Sequence, residues 1–406
     1  MIYILIVFFF LIVELFLFLL IKKIRSEFQW LITEEDEFPI LDKNGLEKFF
    51  RDGFDPELGW VRKPDTMHQE KGKYGKTEYH IGPDGCRFNP NSQLNTNISI
   101  GCFGDSFCFC RQVNDDETWQ CYLEKSTACS VKNFGVGNYG ADQAVIRMNR
   151  ELTKNKFDIC ILAVVPSTIV RILCVWKHYN EFGNTFGFKP RFDCIDNKTI
   201  IIPNIIDSEE KFFRYRDFIE DIRKYDYFYE SKFRNEMLRF PFIFSILRNS
   251  KRNIPLLLAL ILRKTFSSIG IASSYLEKYP MEKIMSVNLD LRTGLFSNDY
   301  AVSIFEAIIK EFKRLSSEYS FKPVFLLMPQ KDDIIFMRKN GFYYADCLTR
   351  IRKIVDAFDL GEKLIDAQNL DDLFSDDSVY GGHLSRHGNE LAADFICAKL
   401  REKKII

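Results

Sequence analysis

A long apolar run near the N-terminus constrains this chain more than any other feature of its sequence. Residues 2–21, IYILIVFFFLIVELFLFLLI, are apolar except for Glu14. About twenty apolar residues in a helix match the thickness of a bilayer core, and a helix satisfies its own backbone polar groups there. The run has no basic leading segment and no small-residue cleavage site, which argues against a removed signal peptide. We therefore expect a membrane anchor over 1–21, in which Glu14 either has a helix partner or is a tolerated single carboxylate.

The residues after this run predict the side of the membrane on which the rest of the chain lies. Lys22, Lys23 and Arg25 follow directly, and the positive-inside rule then favours a cytoplasmic body behind a single-pass anchor. The 11 cysteines are irregularly spaced, which fits buried or free thiols in a reducing compartment better than a disulfide framework or a zinc ribbon. The formal net charge is zero with scattered basic residues, so no nucleic-acid partner is expected. The oligomeric state stays open.

Turn-forming residues and composition separate two further regions from the rest. Residues 22–97 read as a charged connector, with EEDEF at 34–38 as a solvated turn, followed by a prelude of short strands and loops around DPELGW, KPD and GPDG. Residues 171–298 read as a mainly helical insertion, with helical stretches over 208–235. Its apolar piece IPLLLALIL, 254–262, is too short to span a bilayer. Since basic residues flank it, that piece is either core of the insertion or a surface packed onto the nearby membrane.

The remaining residues, 98–170 and 299–406, alternate strand and helix patterns. An alternation of this kind predicts parallel pairing in an α/β layered sheet. The predicted strands are ISIGCF, SVKNFGV, FDICILAVV, KPVFLLMP and KLIDA, and the predicted helices cover 115–126, 141–154, 299–318, 342–358 and the end of the chain from 386.

Three stretches of this α/β part carry candidate chemistry. GDS at 104–106 follows the first strand, at the sheet edge where ligands bind in open α/β sheets. NFGVGNYGADQA at 133–144 follows the second strand, and its glycines let backbone amides point at a substrate oxygen. GGHLSRHGNEL at 381–391 places a histidine on a loop before a helix that Ser385 caps. Phosphate-loop, dinucleotide and metal-ligand spacings are absent from the sequence, so we expect no cofactor and no metal.

Together these stretches resemble the SGNH hydrolase superfamily, the GDSL esterases and lipases, in its membrane-anchored bacterial form. The resemblance covers 98–170 and 321–400, and it extends to the prelude DPELGW…YHIGPDGCRFNP. It implies a three-layer parallel sheet flanked by helices, with the helical insertion and one N-terminal transmembrane helix added. It also implies that Ser106 is the nucleophile, with its own amide as an oxyanion donor, and that His383 is the general base. His387 is the less expected base because it falls in the first turn of the following helix.

The second and third blocks of the family pattern depart from it here. The oxyanion glycine falls at Gly137 or Asn138, and a backbone N–H serves from either residue. In the third block Pro166-Ser167-Thr168 stands for the family's Gly-Asn-Asp, which leaves Thr168 at the place of the oxyanion asparagine. A hydroxyl donates a hydrogen bond but aims differently, and loss of one oxyanion donor costs about 100-fold to 1,000-fold in rate.

The third member of the catalytic triad also departs from the pattern. The family places an aspartate three residues before the histidine, where this chain has Tyr380. Asp377, or its neighbour Asp376, reaches the imidazole through a longer loop, or else the enzyme runs as a Ser-His dyad with a backbone carbonyl orienting the ring. Both alternatives stay open at this point.

The resemblance implies a serine esterase that removes an acyl group, such as acetyl, from a saccharide or glycolipid through an acyl-enzyme. An acyltransferase onto a sugar hydroxyl and a non-catalytic SGNH-like scaffold in a membrane assembly are the two alternatives. Trp176 and Tyr179 of the insertion either stack on sugar rings or pack in the core. A lipid-linked substrate at the inner leaflet would reconcile polysaccharide chemistry with a cytoplasmic body.

Overall fold

The computed structural model describes residues 1–25, 39–91, 98–127, 129–195, 198–271, 273–376, 378–380 and 382–406. The predicted turn over 34–38 lies outside the described residues. In the described part the strands are β1 (Phe54–Asp55), β2 (Gly59–Trp60), β3 (Thr66–Gly72), β4 (Gly75–Ile81), β5 (Ser99–Gly104), β6 (Ser130–Asn133), β7 (Ile159–Val164), β8 (Arg191–Ile195), β9 (Lys198–Ile202), β10 (Lys322–Leu327) and β11 (Asp356–Asp359).

The α-helices of the described part are α1 (Ile2–Arg25), α2 (Lys43–Asp52), α3 (Ser106–Phe109), α4 (Trp119–Thr127), α5 (Ala141–Leu152), α6 (Thr168–Arg171), α7 (Lys177–Asn180), α8 (Glu209–Phe213), α9 (Ile219–Tyr225), α10 (Arg234–Glu236), α11 (Phe242–Arg248), α12 (Ser250–Ser268), α13 (Ser274–Leu295), α14 (Asp299–Tyr319), α15 (Lys331–Asn340), α16 (Ala345–Arg352), α17 (Gly361–Leu364), α18 (Leu370–Leu373) and α19 (Arg386–Glu402). Asp115–Glu117 and Tyr215–Phe218 form 3₁₀ turns, and Tyr229–Phe233 forms a π-helical turn. The chain divides into two compact units, the first made of Met1–Glu47, Cys174–Phe188 and Glu210–Leu291, the second of Lys48–Leu173, Lys189–Glu209 and Arg292–Ile406.

The second unit is built on a five-stranded sheet in the order β11-β10-β7-β5-β6. All four strand pairs are parallel. The central strand β7, ICILAV, is buried along its whole length, as an apolar run covered on both faces of a parallel sheet should be. The predicted α/β parallel sheet flanked by helices is therefore confirmed. Its carboxyl edge gathers the loops that follow Gly104, Asn133 and Val164.

The last strand of the sheet is not the one that the sequence predicted. KLIDA, 363–367, starts inside helix α17 and forms no strand, and the helix predicted over 342–358 ends at Arg352. The strand is β11, which pairs with β10 from Val324↔Asp356 to Leu327↔Asp359. The sequence DAFD lacks an apolar run because an edge strand has one neighbour and is only partly buried. Pairing with β10, not local pattern, decides this element.

The helical stretches predicted over 208–235 are present as α8, α9 and α10, which tight turns separate. The prelude does consist of short strands and loops, with β1 paired to β2 and a β3–β4 hairpin. The 11 cysteines are free thiols, and all but Cys194 are buried, as the sequence predicted.

The first unit holds the apolar N-terminal helix and most of the helical insertion. The segment Ile2–Ile24 of α1 is long and apolar enough to cross a membrane, with a mean hydropathy of 3.3 and 11% of the segment buried. Trp176 and Tyr179 are fully buried in this unit. The Trp176 ring stacks on Phe188 at 5.0 Å, and Tyr179 lies 4.8 Å from Phe233 between ring centroids. These two aromatics are core packing, so the sugar-stacking alternative is not supported.

Candidate active site

Ser106 is the first residue of α3, directly after the carboxyl end of β5, and only 7% of it is exposed. Two glycines permit this position. A Cβ on Gly104 would lie 1.7 Å from the carbonyl oxygen of Ala163 in β7, and a Cβ on Gly135 would lie 2.3 Å from the amide nitrogen of Phe109 in α3. Any side chain at either glycine would displace backbone. The glycines therefore let the β7 strand and the β6 loop close around the serine.

Asp105 organises the turn rather than supplying the chemistry. Its buried carboxylate accepts the N–H of Phe107 at 2.8 Å, the N–H of Val165 at 2.9 Å and Nη1 of Arg171 at 3.1 Å. Arg171 also donates to the carbonyl oxygen of Tyr139 at 3.0 Å. Burial raises the pKa of Asp105, while Arg171 and the backbone donors act against that rise. The side chains of Asp105 and Arg171 thus together join the loops that follow β5, β6 and β7.

His383 is brought to the same edge of the sheet by a short antiparallel contact. Phe374 and Leu384 form an isolated β-bridge, and the N–H of Ser375 donates to the carbonyl oxygen of His383 at 2.8 Å. The imidazole lies against the ring of Phe107, with 5.2 Å between ring centroids. Phe107 directly follows Ser106, so the predicted base lies beside the helix α3 that begins at the predicted nucleophile.

The partner of the imidazole is Gln112, which sequence reasoning missed. Nδ1 of His383 lies 2.7 Å from Oε1 of Gln112, and the His383 N–H also approaches Oε1 at 3.2 Å. The hydroxyl of Ser375 donates to the same oxygen at 2.7 Å. Because Oε1 faces donors only, Nδ1 carries the hydrogen and Nε2 is the basic nitrogen of the ring. A separation of 271 residues leaves no sequence signal that joins this glutamine to the histidine.

The prelude hairpin holds Gln112 in place. Gln112 has a positive φ of 67°, a strained conformation for a residue other than glycine. Its N–H donates to the Glu70 carboxylate at 3.1 Å, and its Nε2 donates to the carbonyl oxygen of Lys71 at 3.3 Å. Arg111 donates to the same Glu70 carboxylate at 2.9 Å. Strand β3 therefore fixes the turn that presents the amide oxygen to His383.

The imidazole is neutral in this environment. Burial lowers the pKa of His383 to about 3, and the positive charges of Arg111 and Arg171 act in the same direction. No carboxylate among the described residues hydrogen-bonds to the ring, so nothing offsets these effects. A neutral imidazole with a fixed tautomer has an unprotonated Nε2, and a pKa this low makes that nitrogen a weak base.

The carboxylates predicted for the third catalytic position are placed as follows. Asp377 lies outside the described residues. Asp376 is exposed, and its Oδ1 accepts the N–H of Ser378 at 2.8 Å, so this side chain caps its own turn. Tyr380 is half-buried at the position of the family's aspartate. In the described residues Gln112, and not Asp376, is the partner of the histidine.

The predicted oxyanion residues after β6 lie in a tight turn. The N–H of Tyr139 donates to the carbonyl oxygen of Val136 at 3.3 Å, and Asn138 has a φ of 66° and is exposed. The indole N–H of Trp60 donates to the carbonyl oxygen of Gly137 at 2.9 Å, and the Tyr139 hydroxyl donates to that of Trp60. The prelude thus braces this loop as well as the turn at Gln112.

Thr168, the third predicted oxyanion donor, is fully buried. Its hydroxyl oxygen accepts the N–H of Ala141 at 2.8 Å. The side chain therefore joins the loop after β7 to the first turn of α5, and only its hydroxyl hydrogen remains to be donated.

His387 forms a separate pair on the surface. It lies in the first turn of α19, which Ser385 caps by accepting the N–H of Gly388 at 3.2 Å, as predicted. Its Nδ1 is 3.0 Å from Oδ2 of Asp372, whose other oxygen accepts the hydroxyl of Tyr74 at 3.1 Å. The two side chains of the pair are 41% and 45% exposed.

The thiols beside Ser106 do not compete with it as nucleophiles. Cys108 and Cys110 are buried, and burial raises the pKa of Cys108 and raises that of Cys110 to about 12. A thiol reacts as its thiolate, which these values suppress near neutral pH. In the described part of the chain no three or more His, Cys, Asp and Glu side chains are grouped to hold a metal ion.

Fold and site define an α/β protein with a serine at the carboxyl edge of a parallel sheet and a neutral histidine against the residue that follows it. No family model and no curated protein matches the chain. Solved structures similar to it include a lipolytic protein of the G-D-S-L family from Desulfitobacterium hafniense (13% identity, 75% of this chain and 100% of that one, TM-score 0.34). Another is a lipolytic protein of the same family from Veillonella parvula (9%, 75% and 96%, 0.32). A third is an acetyl xylan esterase from Butyrivibrio proteoclasticus (10%, 76% and 64%, 0.30). At these identities and TM-scores we draw nothing about function from the likeness.

Proposed function

We propose that this protein is a serine ester hydrolase that acts through an acyl-enzyme on Ser106. The observation that carries the proposal is the hydrogen bond of 2.7 Å between Nδ1 of His383 and Oε1 of Gln112. It sets the tautomer of an imidazole that already lies against Phe107, the residue after the serine. A serine hydroxyl needs such an adjacent base to become a nucleophile.

The proposed reaction uses the side chains as follows. Nε2 of His383 takes the hydroxyl proton while Oγ of Ser106 attacks the carbonyl carbon of the ester. The N–H of Ser106 and an N–H at Gly137 or Asn138 hold the oxyanion. The imidazolium then gives its proton to the departing alcohol, which leaves the acyl group on the serine. Water attacks this acyl-enzyme, loses its proton to His383, and the acid departs as the serine recovers its proton.

Gln112 takes the orienting role that a carboxylate has in a Ser-His-Asp triad. An amide in this position fails when its NH₂ group turns to the ring and selects the wrong tautomer. Here the Ser375 hydroxyl and the His383 N–H fix Oε1 toward the ring, so the productive tautomer is kept. A neutral oxygen stabilises the imidazolium less than a carboxylate does, and we expect a slower hydrolase for that reason. The role of Asp377 as a carboxylate partner of His383 stays a prediction from the sequence.

We further propose that α1 anchors the enzyme in the membrane and that the soluble body is cytoplasmic, since Lys22, Lys23 and Arg25 follow the apolar span. The free, mostly buried thiols fit a reducing compartment. The proposed substrate is an acylated saccharide or glycolipid, held near the inner leaflet by a lipid. A sugar hydroxyl in place of water would make the same acyl-enzyme an acyltransferase, and an acceptor-dependent product distinguishes the two.

The test is intact-mass spectrometry of the full-length protein in detergent after exposure to a fluorophosphonate. We expect one covalent adduct, its loss in Ser106→Ala, and its retention in Ser130→Ala, a control at the opposite end of the same sheet. An adduct that persists in Ser106→Ala assigns the nucleophile elsewhere. No adduct on the folded wild-type protein would overturn the hydrolase proposal and leave the non-catalytic scaffold.

A further inference from the structure

Helix α1 has one face that is covered by protein and a remainder that is exposed. Its less exposed positions include Phe10, Glu14, Leu17, Ile21 and Ile24, which alternate steps of four and three residues and so lie on one helical face. This face packs against α11 and α12 of the same unit. The shared apolar cluster consists of Ile21, Ile24, Leu238, Phe242, Leu256, Leu257 and Leu260, with Leu17, Leu20, Ile246, Ile261 and Ile284 against it.

The contacts with α11 extend far along α1 from its basic end. Phe10 and Phe244 have ring centroids 6.1 Å apart. At about 1.5 Å per residue, Phe10 lies about 18 Å along the helix from Lys22, which is more than half of a hydrocarbon core about 30 Å thick. If α1 crosses a bilayer with Lys22 at its boundary, whatever touches Phe10 must also lie in hydrocarbon.

At this depth Glu14 of α1 and the backbone amides of α11 satisfy each other's hydrogen-bonding groups. Its carboxylate accepts the N–H of Phe242 at 2.6 Å and the N–H of Ile243 at 2.9 Å. These amides belong to the first turn of α11, where a helix has no internal acceptors for them. In hydrocarbon an unpaired amide costs several kcal/mol, and an unpaired carboxylate is costly too. Of the two interpretations of Glu14 left open by the sequence, the structure shows the one with a helix partner.

The exposed side chains of α11, and of the residues just before it, include large apolar ones that are compatible with contact with lipid. Phe240, Phe244 and Leu247 are exposed. On α12 the exposed residues Ile254, Leu258 and Leu262 recur every four positions and form one stripe.

Basic residues follow both apolar stripes, and those at the end of the α12 stripe mark the level of the headgroups. Arg248 and Lys251 are exposed near the junction of the two helices, and Arg263 and Lys264 follow the stripe of α12. Nζ of Lys264 donates to the carbonyl oxygen of Lys23 at 3.2 Å. The end of the α12 stripe is therefore level with the basic end of α1, where Lys and Arg meet anionic headgroups.

We infer that residues 240–262 form a second membrane-embedded element, with α11 dipping into the hydrocarbon beside α1 and α12 lying in the interface with its stripe on acyl chains. The occupant of this surface is the lipid of the bilayer that α1 enters, which meets α12 in the leaflet at the Lys22–Lys23 end and α11 down to the level of Phe10. The inference rests on the anchor part of the proposed function. The first unit then contacts the membrane through two elements, α1 and residues 240–262.

Three single tryptophan substitutions in the full-length protein test this inference. The probe is a vesicle of phosphatidylcholine and phosphatidylglycerol, with or without bromine on the acyl chains, because bromine quenches tryptophan in hydrocarbon. Leu15→Trp reports on α1, Leu258→Trp on the α12 stripe, and Ile201→Trp is the control. These three positions are 58%, 54% and 51% exposed.

We expect the added emission of Leu15→Trp and Leu258→Trp to be largely lost in brominated vesicles, and that of Ile201→Trp to be unchanged. Quenching of Leu15→Trp alone would overturn the inference and leave the anchor. Quenching of neither would overturn the anchor and the inference with it. Phe244→Trp repeats the measurement at greater depth, so the outcome does not depend on one variant.

Discussion

His383 and His387 lie four residues apart and are held in opposite ways. His383 is half-buried on the neutral oxygen of Gln112 at 2.7 Å, while His387 is 41% exposed on the carboxylate of Asp372 at 3.0 Å. An exposed ion pair contributes only about 0–1 kcal/mol to stability. A carboxylate partner therefore does not by itself identify the catalytic histidine of this protein. Position at the carboxyl edge of the sheet, beside the residue after Ser106, distinguishes the two.

The largest expected effect is the difference in activity between alanine variants of His383 and His387. Replacing His383 by alanine removes the proposed general base, and we expect the rate to fall roughly 1,000-fold to 10,000-fold. His387→Ala should stay within about twofold, because it changes a surface pair. The measurement is kcat/KM on p-nitrophenyl acetate, with circular dichroism melting to show that both variants fold. Equal losses in the two variants would contradict the assignment of the base.

The next effect concerns the partner of His383. Gln112→Ala leaves the Nδ1 hydrogen without its acceptor, and the loss of such a bond costs about 1–3 kcal/mol, or roughly 5-fold to 150-fold in rate. Gln69→Ala is the matched control. Gln69 is exposed on β3, and its side-chain amide donates to Glu78 of β4. We expect the control to keep wild-type kcat/KM. Equal activity of the Gln112 variant and the wild type would show that some other group orients the ring.

The pH profile sharpens the comparison further. Because the pKa of His383 is lowered to about 3, its neutral form prevails above that value and the rate should fall only as the pH approaches 3. The unfolded chain binds this proton at about pH 6.5 while the native state does not, so this histidine makes the native state less stable as the pH falls below that value. The measurement is kcat/KM against pH over the range in which the protein stays folded. A half-maximal rate near pH 6.5 would contradict the low pKa.

Gln112→Glu is the nearly isosteric variant of the same pair. A carboxylate at this distance raises the pKa of an imidazole by about 1–3. The acid limb of the rate should therefore move to higher pH by about one unit or more. Gln69→Glu again serves as the control, and its limb should not move. A limb that stays in place in Gln112→Glu would mean that the carboxylate does not face His383.

The smallest effect lies in the surface pair. The hydrogen bond from His387, and a second from Tyr74, lower the pKa of Asp372, so its contribution is present near neutral pH and is lost as the pH falls. Since the pair is nearly half exposed, solvent screens it. We expect Asp372→Asn to keep the esterase rate within about twofold and to change the melting temperature little. A large loss of activity would move Asp372 and His387 into the catalytic site.

The sheet and the serine were predictable because their signals are local. The apolar runs of β5, β7 and β10 match buried parallel strands, and GDS at the end of β5 falls where such sheets bind ligands. Strand β11 was not predictable, because its sequence DAFD becomes a strand only by pairing with β10. The helical stretches over 208–235 were predictable, but the positions of their breaks were not, since Tyr215 between two of them packs on the buried ring of Trp176.

The sequence by itself determined an apolar helix long enough to cross a membrane, an α/β parallel sheet, and the placement of Ser106 at its carboxyl edge. Periodicity and turn-forming residues are properties of neighbouring positions, so they can be recognised from the sequence without knowledge of the tertiary structure. Only the tertiary structure decided that Gln112 is the partner of His383 across 271 residues, and that the Glu14 carboxylate meets the first turn of α11 across 228. A polar group finds such a partner only after packing has removed water from both, because only then does an unpaired donor or acceptor cost enough to select one arrangement.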